Sequence, residues 1–373
     1  MRKAAWNLNP GTRGATERIE TARTGEFLTS RLRLIHRWHQ GMVNPRTGML
    51  EYLYMPETDT FVRETCPIRD IAAIWDLERI ERFLNKHELL PVINKSLQHY
   101  KRYVIGHDRY MILDPERLGE PSSIAHSAFM ALALLHAPSG RNTRRIAALA
   151  EGILQQQRPN GSFKIHFNDR PDHGEELYAG EAMLALLESY GQLKNTRYLD
   201  GAQRGFSYYD AQYYRRDRVT EDALVFFANW QSQACRLLFE CTESGTLKKE
   251  VADYVFRMHD QIIAHGFYEG IQQRPGQQVS VEVASAVEGL NEAYFLAHRC
   301  GDARAERYRQ RICTGLAYLL RLQSTQDGTE KERGGFGFSL NERTQRIDIT
   351  GHVASAFMKI IGNRIECSEI GPM

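Results

Sequence analysis

The sequence predicts an all-α protein, an (α/α)6 toroid of six helical hairpins closed into a ring, with short β-ribbons in the loops of one face. Three observations lead there. Apolar residues recur at three- and four-residue spacing along most of the chain, and long alternating stretches are few. The helical segments fall into two sets that alternate strictly. The connections on one side of that alternation are long, and those on the other are short.

The first set carries a charged stripe and covers residues 25–40, 87–103, 142–157, 195–214, 247–264 and 303–323. The second is richer in Ala, Gly, Ser and Leu, and covers 69–83, 123–136, 177–190, 223–241, 281–297 and 347–361. A helix that is apolar nearly all round belongs inside, and one with a polar stripe belongs outside. The inner helices start near residues 69, 123, 177, 223, 281 and 347, a repeat of roughly fifty residues that six units would close into a ring. Local echoes accompany the period: SAFM occurs at 127–130 and again at 355–358, and EAMLALL at 181–187 is close to AFMALALL at 128–135.

Inner-to-outer connections are short (137–141, 191–194, 242–246, 300–302). Outer-to-inner ones are long and rich in Gly, Pro and aromatics (106–122, 158–176, 265–280, 324–346). Function concentrates on elaborate loops carried by a rigid scaffold. These loops lead into the N-termini of the inner helices, where free N–H groups favour anionic ligand groups. Ribbons are expected at 162–167 and 336–340. Residues 1–20 read as a tail, 21–362 as one toroid domain, and 363–373 as a C-terminal tail.

Composition sets bounds. Over 373 residues the net charge is only +2, with 42% hydrophobic and 25% charged residues, so nothing points to nucleic acid. No apolar run reaches the ~20 residues needed to span a bilayer, and the polar start of the chain lacks a secretory apolar core. The cytoplasm is the expected compartment. The six cysteines are scattered, with no Cys-x-x-Cys pair, so neither a disulfide framework nor a zinc ribbon is expected. Cys66 stands apart, because it precedes a proline at a helix entry.

Two segments carry a resemblance. Gln155 through Phe163 (QQQRPNGSF), and Leu322-Gln323 through Gly334-Gly335-Phe336, resemble the Q-x-x-x-G-x-F/W and GGF repeats of terpenoid cyclase and protein prenyltransferase toroids. The stretch from Leu177 to Tyr208, with GEAMLALLESYGQ, is similar to N-acylglucosamine 2-epimerase-like and uronyl-epimerase-like proteins and six-hairpin glycosidases. Together the resemblances cover about residues 45–362. They imply the toroid, and they leave the reaction open because toroids host many chemistries. The terpene cyclase motifs Asp-x-Asp-Asp and Asp-Asp-x-x-Asp are absent, as is the Asp-x-Cys of the prenyltransferase zinc site.

The mouth at the inner-helix N-termini is expected to gather catalytic candidates Glu181, His352, Glu176, Asp348 and His126. Substrate contacts are expected from Arg69, Asp70, Tyr178, Trp230, Glu282, Arg346 and Phe336. Glu175, Asn229, Glu288 and Phe338 lie nearby. Glu181 follows Gly180 inside an apolar run and so faces the interior. Each residue also has a structural reading: Glu175 and Glu176 as first-turn acids, Glu181 as a salt-bridge partner of Arg69 or Arg346, and His126 and His352 as hydrogen-bonded core histidines. Asp348 reads equally as a helix cap, Trp230 as core, Cys66 as a small buried residue, and His166 as a solvated edge residue.

Converging carboxylates can divide into acid and base, and arginines there hold a carboxylate bidentately. The expected function is acid/base chemistry on a polar, anionic-tolerant saccharide, either glycoside cleavage or sugar/uronate epimerisation, led by Glu181 and His352. No cofactor or metal is called for. The expected partner is a small-molecule or oligosaccharide substrate, with no nucleic acid and oligomeric state left open. The alternatives are a terpenoid cyclase or dehydratase, and a non-catalytic toroid that holds a peptide or partner.

Overall fold

The computed structural model describes residues 15–62, 66–137, 142–326 and 328–368, with side chains from residue 24 onward. The expected tail segments 1–14 and 369–373, and residues 138–141 of one short connection, lie outside the described residues.

Six inner helices form the ring: α2 (Pro67–Leu84), α4 (Ile124–His136), α6 (Glu175–Leu193), α8 (Glu221–Cys241), α11 (Ser280–Cys300) and α13 (Ile347–Gly362). Each packs on the next, and α13 packs back on α2. Their starts fall within two residues of those read from the sequence. Behind them lie α1 (Ala15–Gly41), α3 (Leu90–Tyr100), α5 (Thr143–Gln155), α7 (Thr196–Tyr208), α9 (Gly245–Ala264) and α12 (Arg304–Leu322). The short helix α10 (Phe267–Gln273) sits inside a connection expected to be loop. α1 begins ten residues before the expected 25, so residues 15–20 are helical and not tail.

The alternation of faces explains the two layers. In α4 every residue from Ile124 to Leu134 is buried. In α7 burial is confined to one face, at Tyr198, Gly201, Ala202, Gly205, Phe206 and Tyr208. Small residues let the inner helices touch. A Cβ on Gly180 would come within 2.6 Å of Trp230, one on Gly289 within 2.8 Å of the Asn229 Cα, and one on Gly351 would overlap the Asp76 carboxylate. Backbones this close leave no room for even a methyl group.

The ribbons fall elsewhere than expected. Segments 162–167 and 336–340 contribute single bridges, Gln157 to Phe163, Ser123 to His166, Gln323 to Phe336 and Gly337 to Gln345. The paired strands are β1 (Leu53–Met55), β2 (Thr60–Val62), β3 (Val104–Gly106), β4 (Met111–Leu113) and β5 (Gln345–Arg346). The antiparallel order β2-β1-β5 places Leu53 opposite Arg346, so the loop after α1 holds the chain that enters α13. Three-residue strands leave too little alternation to read from sequence.

The resembling Q…G-x-F segments are clamps on the outer ring. Gln157 Nε2 donates to the carbonyls of Gly161 (3.1 Å) and Gly201 (2.8 Å). Gln323 Nε2 donates to those of Gly334 and Arg31, both at 3.2 Å. Gly161 (φ 95°) and Gly334 (φ 104°) take left-handed conformations, with no space for a Cβ against the backbone of Arg204 and Leu34. Each clamp thus ties the end of one outer helix to the next.

One cysteine expectation is corrected. Cys313 on α12 and Cys367 are disulfide-bonded across 54 residues, which straps the segment after α13 onto the outer layer. Spacing could not reveal the pair, because only the fold brings these positions together. Among the described residues no helix is long and apolar enough to cross a membrane.

Candidate functional site

At the N-terminal mouth, Asp348 lies in the first turn of α13, and extended Arg346 delivers the chain to it. Arg69 Nε on α2 is 3.1 Å from Asp348 Oδ2. Arg346 grips the same carboxylate with two guanidinium nitrogens, its Nε at 2.9 Å. Both guanidiniums lie over the ring of Tyr52, at 5.4 and 5.7 Å from its centre. Burial pushes the Asp348 carboxyl up, but the two arginines outweigh it and hold it below the usual carboxylate value. Two cations against one anion leave this triad with one positive charge.

One turn deeper is His352. Its Nδ1 is 2.8 Å from Glu288 Oε2 on α11, and its ring packs on Trp230 with centroids 5.8 Å apart. Burial lowers the imidazole's proton affinity, but the hydrogen bond and charge of Glu288 outweigh it and raise the net value. Glu288 is buried, which alone would raise its pKa. Lys359 and His352 reverse that and pull it well below normal. Asn229 also donates to it at 3.1 Å, and Ser355 donates to its other oxygen.

Glu181 lies across the mouth on α6. Burial pushes its pKa to about 8, tempered by His352. Its Oε2 is buried without a hydrogen-bond partner. The salt bridge to Arg69 or Arg346 that the sequence allowed does not form, since both arginines are bound to Asp348. Asp76 on α2 completes the group: burial raises its pKa to about 6, against the pull of Arg79 and His352. At neutral pH a protonated Glu181 thus faces a positively biased imidazole, while Asp76, 3.5 Å from Arg79, is mostly ionised.

The other expected residues divide. His126 joins the rim through Glu120, with Nε2 to Oε2 at 2.8 Å, and its Nδ1 meets Ser123 Oγ at 2.8 Å. Half-buried Tyr178 is pushed to about 12 by burial, with Glu181, Glu120 and Arg69 in electrostatic reach. Asp70 faces the outer layer, where Tyr100 donates to it at 2.6 Å, and burial raises it to about 7. Glu175 accepts from Tyr209 at 2.9 Å, in a π-helical turn behind α6. Glu176 acts electrostatically on Tyr213 in that turn. Glu282 lies toward Asp222 at the start of α8.

Three readings are corrected. Phe336 is a core residue, fully buried against Phe357, and not a mouth contact. Trp230 is 6% exposed and supports His352 from below, so it offers no open stacking face. His166 is buried, with Nε2 3.0 Å from His173 Nδ1, and is not a solvated edge. Cys66 is half-buried, and its thiol is pushed to about 11 by burial. Of the described residues, His36, Glu81 and Glu88 lie close enough together to share an ion, at the far end of α2 from the mouth.

Sequence reasoning missed Tyr52, Asp76 and Glu120. Asp76 carried a weaker form of the Glu181 signal, a carboxylate that follows the apolar stretch 71–75. It also missed the far end of the ring. From Glu288 the ion pairs continue to Lys359 (3.3 Å), Glu292 (2.8 Å) and Arg236 (3.0 Å). They end in a cavity of about 990 Å3 lined by all six inner helices, with Trp75, Arg82 and Glu188 in its wall. A column of alternating charges therefore runs down the axis from one opening to the other.

No family model matches the chain, and no curated protein matches it in sequence. Solved structures do match in three dimensions. A D-mannose isomerase aligns with TM-score 0.67 at 10% identity, over 94% of this chain and all of the other. A cellobiose 2-epimerase from Spirochaeta thermophila aligns with TM-score 0.65 at 12% identity, over 94% and 99%. An unsaturated glucuronyl hydrolase specific for heparin aligns with TM-score 0.61 at 10% identity, over 90% and 96%. The fold is the (α/α)6 toroid of these sugar epimerases and hydrolases. At such identities the likeness establishes architecture and leaves the reaction to the residues.

Proposed function

We propose that this toroid is a carbohydrate-processing enzyme that works by acid/base chemistry at its N-terminal mouth on a polar saccharide, with uronates included. The observation that carries the reading is Glu181, an interior carboxyl raised to about 8 with an unpartnered oxygen, opposite a His352 backed by buried Glu288. Glu181 enters as the protonated acid. His352, with Nδ1 committed to Glu288, exchanges a proton through Nε2. Protonation of a leaving oxygen gives glycoside cleavage, and removal and return of a carbon-bound proton gives epimerisation. The surplus positive charge of Arg69 and Arg346 over Asp348 favours a substrate carboxylate.

A non-catalytic toroid is the second reading. It is favoured by how many of the charges expected at the mouth are committed to partners: Asp348 to its arginines and Glu120 to His126 at the rim, and Asp70 to Tyr100 and Glu175 to Tyr209 away from it. The terpenoid reading loses its motif, because the Q…G-x-F segments serve as clamps in the outer ring. A thermal-shift screen against uronic acids, neutral oligosaccharides and prenyl diphosphates, followed by turnover assays, separates the three. A ligand that binds only the folded state raises Tm by mass action. Saccharide stabilisation with turnover lost in His352→Ala supports the enzyme, and saccharide binding with no turnover under any condition supports the scaffold.

A further inference from the structure

We propose that His36, Glu81 and Glu88 form a binding site for a divalent transition metal of the zinc class, at the end of α2 opposite the mouth. The site lies apart from the saccharide chemistry proposed above and does not rest on it.

The fold brings the three residues together in two steps. α1 packs on α2, which sets buried His36 against buried Glu81 in the last turn of α2. Asn85 then ends that helix in a left-handed conformation (φ 53°), and Lys86 N donates back to the Glu81 carbonyl at 2.8 Å. The turn carries the chain round so that Glu88 reaches the same imidazole. His36 Nε2 lies 2.5 Å from Glu81 Oε1 and 3.7 Å from Glu88 Oε2. One donor atom from each residue lies within 4.8 Å of the other two.

A buried histidine–glutamate pair explains only part of this. His126 with Glu120 and His352 with Glu288 are such pairs, each with one carboxylate on one ring nitrogen. At His36 two carboxylates converge on a single nitrogen, which carries at most one hydrogen. Among the described residues no other histidine has that arrangement. Glu81 also has acceptor capacity to spare. Its Oε1 meets His36 and accepts from Leu89 N at 3.2 Å, while its Oε2 is buried without a hydrogen-bond partner. An idle buried carboxylate oxygen is costly, and a dication would engage it and offset both negative charges. Lys86 Nζ, 2.7 Å from Glu88 Oε1, makes a solvent-exposed pair that contributes little and leaves Oε2 turned to His36.

The donor set narrows the metal. One imidazole with two carboxylates suits zinc and its first-row neighbours, whereas calcium and magnesium prefer oxygen alone. Ligand bonds of about 2.1 Å in a tetrahedron place donors about 3.4 Å apart. The His36–Glu88 separation is already close to that, and the His36–Glu81 contact would open by about 1 Å as the ion replaces the shared hydrogen. A cavity of about 620 Å3 beside Glu88, with Gln40, Val43, Leu89 and Lys95 in its wall, gives the ion a way in and a water for the fourth position. The bound ion would tie α1, α2 and the turn before α3 to one another.

The test uses the untagged full chain, stripped with a chelator and then titrated with zinc, manganese and calcium. Bound metal is counted by elemental analysis after equilibrium dialysis, and Tm is read with and without metal. Glu88→Gln, at a half-exposed position, removes one ligand without disturbing the core. The proposal expects one zinc per chain, with Tm raised by about 3 °C at a hundredfold excess over Kd. In Glu88→Gln the affinity should fall about 100-fold or more, and the rise in Tm should vanish with it. The proposal is overturned if no stoichiometric zinc binds, if Glu88→Gln binds zinc as the parent does, or if calcium binds as tightly as zinc. Because none of these readouts is turnover, failure here leaves the reading of the mouth untouched.

Discussion

His352 on α13 and Glu288 on α11 meet across adjacent inner helices, Nδ1 to Oε2 at 2.8 Å, with the histidine side chain 21% exposed and the glutamate 2%. With Glu288 ionised, Nδ1 carries the hydrogen, and Nε2 is the nitrogen left to exchange a proton with a ligand. The buried carboxylate thus sets both the orientation and the proton affinity of the imidazole.

Replacing Glu288 by Gln is expected to lower the His352 pKa toward the ordinary value near 6.5. An NMR titration of the imidazole reads this directly, and the pH–rate profile should shift with it. Lys359 loses one of two carboxylate partners and keeps Glu292 at 2.8 Å, so stability is also expected to fall, by about 1–2 kcal/mol. An unmoved His352 titration would rule out the coupling.

Glu181→Gln keeps the shape of the side chain and removes the acid. Turnover on any saccharide substrate is expected to fall about 100-fold or more, with melting temperature kept. Turnover that persists while the melt collapses would mark Glu181 as structural.

Stability is expected to decline as pH rises from about 5 to 9. Burial raises Asp76 to about 6, Asp70 to about 7, Glu181 to about 8 and Glu78 to about 9. Between the unfolded value near 4.3 and its own folded value, each is protonated when folded and ionised when unfolded. The folded state then binds more protons, so stability falls with pH through that window and levels above it. Glu288 has the opposite sign: its lowered pKa stabilises at neutral pH, and that contribution is lost as pH drops through the folded value. Denaturant melts across this range test the sum, and a flat profile would contradict it.

Reduction of the Cys313–Cys367 bond, or Cys313→Ser, is expected to cost about 4 kcal/mol, from the chain entropy of a loop of 54 residues. Chemical denaturation with and without reductant measures it.

Gly351→Ala places a methyl group on the Asp76 carboxylate and is expected to destabilise by about 1–3 kcal/mol. Gly25→Ala, in α1 with nothing near its Cβ, is expected to stabilise by up to about 1 kcal/mol. Thermal melts of the two variants should move in opposite directions.

How much could be read beforehand follows from the range of each signal. Helix periodicity is local and strong, so the six inner helices and their order were legible, down to starts near 123 and 347. Glu181 stood out because Gly180 and Ala182 place it in an apolar run. Asp76 follows the apolar stretch 71–75, but with Glu78, Arg79 and Glu81 close behind it its surroundings looked charged. Contacts between distant segments leave no local trace. Arg69 and Asp348 are adjacent only once the ring closes, Tyr52 reaches both arginines only through β1, and Cys313 finds Cys367 only when the last segment folds back. Phe336 misled because its GGF setting resembles a site motif, while its ring fills the space against Phe357.

A ring made from one open chain has one joint that no peptide bond crosses, where α13 meets α1 and α2. Here β5 is laced to β1, Gln323 reaches the Arg31 carbonyl, Gly334 seats against Leu34, and Gly351 admits Asp76. The disulfide anchors the segment just beyond α13. The molecule is therefore a riveted hoop and not a spring that opens at its ends. Its bore keeps a set width, and whatever reaches the charged axis must come in through an end of the barrel, not through its wall.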